Sequence, residues 1–406
     1  MSNLNYPFAP VAHEDWVLQI QKELRDQTER MLFKDSIEGL ELDVIEPVSI
    51  ITPIDFSSFR DSVNNVHFER IQTEKESNRC MLLALMQGAN ALFIQIEKAE
   101  VDWNIVFDNI ELAYIRTEII IQQSAQLDSL KNQLNSEQLE HLVILNDVLV
   151  QDQQEGCQAY FNGFELQQIG SNSIDELSLI LSSYHHHLSN GIRSAVVFSV
   201  GIGANYFVQM AKIRALHYLI NKISSIHGIQ HPSYRIQAHV GWMNKSLKDP
   251  YTNLLRQTSE AMSAYAGGVH GLVIHPWDEY AQEGKEDFTV RMSLNILNLL
   301  SDEAHFSWVQ DPMKGSRIVE GLTNQFIVKT WKRIQNLTDM DESSMISTVM
   351  RSIEKTRKQR RAQWDSGQDK LIGVHYFLNS DKSKAKSWGE LPHYLGKEYL
   401  TVEKLN

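Results

Sequence analysis

Residues 195–203 have the sequence AVVFSVGIG, and residues 204–223 continue as ANYFVQMAKIRALHYLINKI. The first run is apolar and rich in β-branched residues, which favours a buried strand, and the second has apolar residues at helical spacing. A strand-like run follows at 234–239, then a helical run at 252–268 and a second apolar strand at 269–275. This β–α–β–α–β order, with glycines at the turns, predicts an α/β fold with a parallel sheet.

The same alternation of helix and strand extends upstream. A helix over 76–87 leads into the apolar run ALFIQI at 91–96, and further strands are predicted at 111–121 and 157–162. Residues 122–150 contain neither glycine nor proline and have a helical period, which predicts helix there. The repeated alternation favours a (β/α)8 TIM-type barrel over a doubly wound sheet. No GxGxxG phosphate fingerprint is present to support dinucleotide binding, since VGIGAN has only GxG.

The chain is divided into three predicted segments. They are an N-terminal helix and extended arm (1–50), the α/β (β/α)8 TIM-type barrel with extra C-terminal helices (51–380) and a C-terminal tail (381–406). Asp15 is placed to cap the first helix, and the arm follows at 38–51. Two late helices are predicted at 321–335 and 341–365, with a last strand near 371–374.

The overall charge excludes some classes of partner. Lys and Arg number 38 against 51 Asp and Glu, so the formal net charge is −13. Proteins that bind nucleic acid or anionic membranes concentrate cations instead, so neither partner is expected. The one basic run, at 351–364, is interpreted as a solvated helix face.

The sequence also predicts the compartment. It has no run of about 20 apolar residues that would form a membrane helix, and residues 1–16 lack the basic and apolar regions of a signal peptide. A cytoplasmic location is therefore expected. Cys80 and Cys157 have neither a CxxC partner nor zinc-ligand neighbours, so both are expected to be reduced, buried and structural.

Six stretches together carry a resemblance to a known family. They are TEKESN (73–78), VGIGANYFVQMAKIRALHYL (200–219), YTNLLRQTSEAMSAYAGGVHGLVIHPWDE (251–279), DFTVRMSLN (287–295), WVQDPMKGSRIVE (308–320) and SGQDKLIGV (366–374). In this order they resemble the substrate-binding barrel of the methylmalonyl-CoA mutase family. The members of this family are adenosylcobalamin-dependent acyl-CoA mutases. The resemblance implies a barrel whose mouth, in active members, receives cobalamin on one face while coenzyme A threads through the middle.

The positions that face the substrate in active family members are altered here. A Gly-Tyr-His motif in the loop after a barrel strand falls on Gly163, Phe164 and Glu165, and an upstream Arg and Tyr fall on Val66 and Phe68. Phenylalanine has no hydroxyl group, and a carboxylate would oppose a carboxylate substrate. The resemblance thus implies that these substrate-facing groups have been replaced.

Three more departures follow from the resemblance. An arginine at the start of a barrel strand is replaced by Ala195, although Arg193 lies two residues away, and a longer family loop is shortened to HVGW at 239–242. The D-x-H-x-x-G motif of the cobalamin domain, whose histidine ligates cobalt, has only a partial match at His393. Leu391 stands where the aspartate is needed, and few residues follow, so no cobalamin domain is expected in this chain.

The resemblance therefore implies the non-catalytic small subunit of a heterodimeric methylmalonyl-CoA mutase, an isomerase that interconverts succinyl-CoA and methylmalonyl-CoA. Phe68, Phe164, Glu165 and Ala195 are degenerate family positions, and no catalytic, cofactor-binding or metal residues are assigned. Adenosylcobalamin is expected on the partner, a cobalamin-bearing large subunit, and a homodimer is an open alternative for the chain alone. Two other functions stay open: a catalytic acyl-CoA mutase barrel that uses a cobalamin domain on a separate chain, and an acyl-CoA-binding or partner-chaperone module.

The sequence predicts no metal site among its histidines. Adjacent side chains on a helix diverge by about 100°, so the run at 185–187 cannot bind one ion with all three rings and is interpreted as a solvated helix end. His239, His270 and His275 are placed near strand ends at the predicted mouth, where structural roles are favoured over ligand contacts. The acidic pair at 278–279 is interpreted as a cap or a partner contact.

Overall fold

The computed structural model describes residues 12–24, 32–43, 63–96, 98, 100–380 and 383–405. Its strands form an N-terminal hairpin, a closed barrel and a C-terminal hairpin. In chain order they are β1 (Leu32–Asp35), β2 (Leu40–Asp43), β3 (Asn64–Ile71), β4 (Ala91–Ile96), β5 (Arg116–Ile121), β6 (Leu142–Asp147), β7 (Gln158–Asn162), β8 (Val196–Gly201), β9 (Tyr234–Val240), β10 (Gly271–Ile274), β11 (His393–Tyr394) and β12 (Lys397–Glu398). The predicted arm beyond residue 43 and residues 1–11 lie outside the described residues.

Strands β3 to β10 confirm the predicted TIM-type barrel. Each pairs in parallel with its neighbours in sequence, and β10 pairs with β3 to close the ring. The α-helices are α1 (His13–Leu24), α2 (Glu74–Met86), α3 (Trp103–Val106), α4 (Ser124–Gln133), α5 (Ser136–Glu140), α6 (Gly163–Gln168), α7 (Ser173–Ser189), α8 (Tyr206–Ile226), α9 (Thr252–Gly267), α10 (Asp287–Asn298), α11 (Arg317–Leu337) and α12 (Glu342–Asp365). Shorter 3₁₀ turns span Leu112–Tyr114, Phe306–Trp308 and Val402–Leu405, and a π-helical turn spans Leu299–Glu303.

The stretch that begins at residue 195 is largely buried in the fold. Strand β8 is buried along its whole length. Helix α8 is enclosed by α7, α9 and α11, so its polar side chains need partners inside the protein. Lys212 donates to Glu176 at 3.0 Å, and Arg214 donates to Glu320 at 2.8 Å. Gly268 ends α9 in the left-handed conformation, with φ of 90°, which explains a glycine at that turn.

The described part of the N-terminal arm lies on its own barrel. Gln359 Nε2 of α12 donates to Ser36 O at 2.9 Å, and Lys329 Nζ of α11 donates to Gly39 O. Glu38, in the turn of the β1–β2 hairpin, accepts from the backbone N–H of Ser173 at 2.6 Å. This carboxylate therefore meets the N-terminus of α7, where an anion is favoured.

Several local predictions were wrong. The sequence pattern does not predict strand β3, and strand β6 lies inside the stretch 122–150, for which the pattern predicts helix. No strand forms at 371–374, where Ile372 makes only an isolated bridge to Tyr376. Asp15 lies within the first turn of α1 rather than before it.

Two predicted solvated surfaces are partly buried. His187, in the histidine run, is only 6% exposed and packs edge-on against the ring of Phe161. In the basic run of α12, Arg357 donates to the backbone carbonyls of Ile169 and Glu398 at 2.7 and 3.0 Å. Both surfaces are covered by elements distant in sequence, which the helical period does not reveal.

Other predictions can be compared directly with the described residues. Cys80 and Cys157 are free thiols in buried positions, as predicted. None of the helices in the described part of the chain has both the length and the apolar character needed to cross a lipid bilayer.

Candidate functional site: the mouth of the barrel

The carboxyl ends of the parallel strands meet at one end of the barrel, called here the mouth, which is where this fold builds its sites. Below the mouth, apolar and aromatic side chains fill the barrel interior. They are Val66, Phe68, Ala91, Phe93, Ile120, Leu145, Tyr160, Val197 and Val273. The axis therefore contains packed side chains at the level of the predicted substrate positions.

An aromatic stack continues this packing up to the mouth. The Phe164 ring lies 4.5 Å from that of His239 and 5.0 Å from that of His275, and both histidines are stacked on it. The Phe68 ring packs edge-on against His275 at 4.7 Å. Trp242 covers the stack from the loop after β9, with its ring 4.4 Å from that of His275. Two of the predicted degenerate positions, Phe68 and Phe164, thus lie in one buried cluster.

The two histidines in this stack bind each other. His239 Nδ1 and His275 Nε2 are 3.0 Å apart, so one ring donates and the other accepts. Burial lowers the pKa of His239 to about 3 and also lowers that of His275, which keeps both rings neutral near pH 7. No group of three or more metal-binding side chains occurs among the residues described.

Helix α6 starts directly on the mouth because Gly163 approaches β8 closely. A Cβ atom at Gly163 would lie 2.6 Å from the carbonyl oxygen of Ser199, so no larger residue fits without a backbone shift. The next backbone N–H, that of Phe164, donates to Ser199 Oγ at 3.3 Å. The glycine of the family motif is kept here for a structural reason.

The C-terminal segment, residues 383–405, crosses over the mouth. Tyr394 donates to Asp147 at 3.1 Å, and Tyr399 donates to Glu165. The backbone N–H of Leu400 donates to Gln168 O at 2.7 Å. These contacts join the segment to the ends of β6 and to α6.

A second set of contacts joins this segment to the loop after β10. Lys386 donates to Asp278 at 2.9 Å, and Thr289 donates to the same carboxylate at 2.6 Å. The backbone N–H of Gly389 donates to Tyr280 O at 2.7 Å. Asp278, the first residue of the acidic pair, therefore supplies an intrachain anchor for the C-terminal segment, whereas Glu279 lies 3.5 Å from Lys285.

Burial changes the acidity of the two mouth carboxyl groups. It raises the pKa of Glu165 to about 7 and that of Asp147 to about 6, although the hydrogen bonds from Tyr399 to Glu165 and from Asn162 to Asp147 act in the opposite direction. Sequence reasoning missed Asp147, Tyr394 and Tyr399 as members of the site.

Glu165→Gln is expected to raise stability at pH 8 and leave it nearly unchanged at pH 4. The folded carboxyl group keeps its proton up to a pKa of about 7, whereas the ordinary pKa of a glutamate is 4.5, so the wild type loses stability as the pH rises between these values. The neutral amide avoids this loss, and a gain of about 2–3 kcal/mol is expected at pH 8. Urea unfolding at both pH values measures it. Glu303→Gln, at an exposed position, is the control, and an equal change in both variants would contradict the explanation.

Some space remains at the rim of the mouth. A polar cavity of about 580 Å³ lies between the ends of the barrel strands and the β11–β12 hairpin. Both Asp147 and Glu165 line it, together with Arg70, whose guanidinium lies 5.3 Å from the centre of the Tyr280 ring. This cavity is beside the barrel axis, which the aromatic stack occupies.

Other predicted positions lie away from the mouth. Ala195 immediately precedes β8 and is therefore at the opposite end of the barrel, as is Arg193. His270 precedes β10 at that same end, where its Nδ1 accepts from the N–H of Ile236 at 3.0 Å. The prediction that placed His270 at the mouth is wrong. The mouth lies at the carboxyl ends of the strands, whereas a residue that precedes a strand lies at the opposite end of the barrel.

The partial match to a cobalt-binding motif forms a hairpin turn. His393 lies in β11 and is exposed, and Leu391 is 1% exposed within the main core. Gly396 occupies the turn between β11 and β12 with φ of 76°. Backbone geometry therefore accounts for this glycine, and packing accounts for the leucine.

Known proteins resemble this chain in sequence. The sequence profile of the methylmalonyl-CoA mutase family matches residues 161–395, which is more than half of the chain. The methylmalonyl-CoA mutase small subunit of Porphyromonas gingivalis is 30% identical over 195 residues, covering 46% of this chain and 31% of that protein. The methylmalonyl-CoA mutase of Cereibacter sphaeroides is 30% identical over 231 residues, covering 53% of this chain and 32% of that protein.

The large subunit of the Porphyromonas gingivalis enzyme is also similar. It is 28% identical over 232 residues, which cover 53% of this chain and 32% of that subunit. The matched region thus spans about a third of the length of these relatives. On the extent of the profile match and the closed barrel, the chain belongs to the methylmalonyl-CoA mutase family.

Proposed function

We propose that this chain is the non-catalytic small subunit of a heterodimeric methylmalonyl-CoA mutase. Its barrel pairs with the barrel of a cobalamin-bearing large subunit and stabilises it, while the rearrangement of the acyl-CoA takes place on that subunit. The observation that supports the proposal most strongly is the packing of Phe68, Phe164 and the His239–His275 pair across the barrel axis.

The chemistry at the mouth supports the same proposal. An acyl-CoA with a free carboxylate needs a cation and hydrogen-bond donors around its acyl group. The mouth presents Asp147 and Glu165 beside Arg70, and these two carboxyl groups accept hydrogen bonds from their own chain, including those from the hydroxyls of Tyr394 and Tyr399. Carboxyl groups at this position oppose an anionic acyl group, so no catalytic step is assigned to them.

The relatives support the assembly. In Porphyromonas gingivalis, a protein named as a small subunit and another named as a large subunit of the mutase are both similar to this chain. The similarity of this chain to both subunits is the basis for proposing a heterodimer here. The cofactor adenosylcobalamin and the cytoplasmic location are parts of the same proposal.

Co-expression with a cobalamin-bearing large mutase subunit from the same cell tests this function. We expect a one-to-one complex and a longer half-life of mutase activity at elevated temperature than for the large subunit alone. Glu165→Gln in this chain is expected to leave the turnover rate of the complex unchanged, because Glu165 contacts only its own chain in the proposal. Failure of the two chains to associate, or a loss of turnover without loss of the complex, would overturn it.

A further inference from the structure

A second cavity lies beside the barrel axis, on the same end of the barrel as the mouth. Its volume is about 390 Å³, within the usual range for small-molecule sites. The turn of the β1–β2 hairpin, the loop after β8, the first turns of α8 and the end of α12 form its wall. The cavity is separate from the aromatic stack and is not used in the proposed function.

Two polar atoms in this wall have no hydrogen-bond partner within the described part of the chain. Gln209 is 4% exposed, and its Oε1 accepts no hydrogen bond there. Arg360 donates through Nη2 to Ser171 O at 3.3 Å, but its Nε donates to none of the described residues. Buried polar groups are nearly always paired, so the wall offers a ligand one acceptor and one donor.

The N-terminus of α8 adds further donors. Asn205, at the N-cap of this 21-residue helix, makes no capping hydrogen bond with its side chain. Its amide instead donates to Asp35 at 3.3 Å, across the cavity wall. The first N–H groups of a helix and its dipole favour the negative group of a ligand.

The charges of the wall are mixed. Its cations are Lys34, Lys212, Arg360 and Lys370, and its anions are Asp35, Glu38 and Asp369. Lys212 is already paired with Glu176 behind the wall, and Lys34 lies 3.7 Å from Glu41, which leaves Arg360 and Lys370 beside the three acidic side chains. A simple anion would meet repulsion from the acidic side chains and a simple cation from Arg360 and Lys370, whereas a molecule that carries both charges can place each beside its opposite.

An apolar surface completes the wall. Trp364, Leu400 and Val402 pack together there, with Met243 and Leu371 against them. This surface suits an aliphatic or aromatic group, because burial of apolar area is the main favourable contribution to binding.

We infer that this cavity binds an α-amino acid with an apolar side chain in its zwitterionic form. The carboxylate lies toward Arg360 Nε and the N-terminus of α8. The ammonium group donates to Gln209 Oε1 and faces the carboxylates of the hairpin. The side chain packs against the surface around Trp364.

Isothermal titration of the full chain with L-leucine tests this inference. Two analogues separate the charges: 4-methylpentanoate keeps the carboxylate and lacks the ammonium group, and 3-methylbutylamine keeps the ammonium group and lacks the carboxylate. Leucine is expected to bind, and each analogue at least tenfold more weakly. No heat with leucine, methionine or phenylalanine at millimolar concentration overturns the inference, as does tighter binding of adenosine, which would indicate a nucleoside site.

Two matched variants distinguish binding from folding. Gln209→Leu removes the unpartnered acceptor and is expected to weaken leucine binding at least tenfold without lowering the unfolding midpoint. Gln237→Leu is the control, since Gln237 is also buried with an unpartnered amide among the described residues, but it lines a different cavity. It is expected to leave leucine binding unchanged. Equal affinity in Gln209→Leu and the wild type contradicts the assigned site.

Discussion

Lys212→Met is expected to lower the free energy of unfolding by about 3–5 kcal/mol, because it leaves a buried carboxylate without its cation. Lys212 and Glu176 are both fully buried and 3.0 Å apart. Glu176 also accepts from the backbone N–H of Gly201 at 3.0 Å, so the pair connects α7, α8 and the end of β8. Urea unfolding at pH 8 measures the loss.

Two further variants test the cause of that loss. The double variant Lys212→Met/Glu176→Leu removes both charges and is expected to recover most of the stability, since an apolar pair can replace a buried ion pair. Lys222→Met on the exposed face of the same helix is expected to change stability by no more than about 0.5 kcal/mol. If the double variant is as unstable as the single one, the unpaired charge is not the cause.

Phe164→Ala is expected to lower the free energy of unfolding by about 3–5 kcal/mol, the usual cost of removing a buried aromatic ring. Its ring lies between His239, His275 and Trp242, and the cavity left behind cannot collapse without moving three strands or loops. The urea midpoint measures the loss.

Phe377 is exposed, so its replacement by alanine is a control for the removal of an aromatic ring that is not buried. Its side chain is 85% exposed, so Phe377→Ala is expected to change stability by no more than about 0.5 kcal/mol. A similar small change in Phe164→Ala would mean that the mouth is not packed as described.

The barrel could be predicted from the sequence where local signals agree with the tertiary structure. Strand β8 is a run of β-branched and aromatic residues, and α8 follows it after a glycine turn. Strand β6, with the sequence LVILND, was missed because its leucines continue the helical period of the residues before it. Its strand conformation depends on pairing with β5 and β7, which local spacing does not encode.

The candidate site was predicted only in part. Phe68, Phe164 and Glu165 were located by resemblance to family motifs and do lie at or beneath the mouth. Tyr394 and Tyr399 could not be found this way, since their carboxylate partners are 247 and 234 residues away in the chain. The sequence could have predicted the position of His270 correctly, because a residue that precedes a barrel strand lies at the end of the barrel away from the mouth.

The central proposal is that the mouth of this barrel does no chemistry and that the partner subunit supplies the only active site of the complex. Equilibrium titration of the isolated chain and of the heterodimer with adenosylcobalamin, then with an acyl-CoA, tests it most directly. We predict one site for each ligand per heterodimer and none on the isolated chain. Two sites per heterodimer, or tight binding of either ligand to the isolated chain, would contradict the proposal.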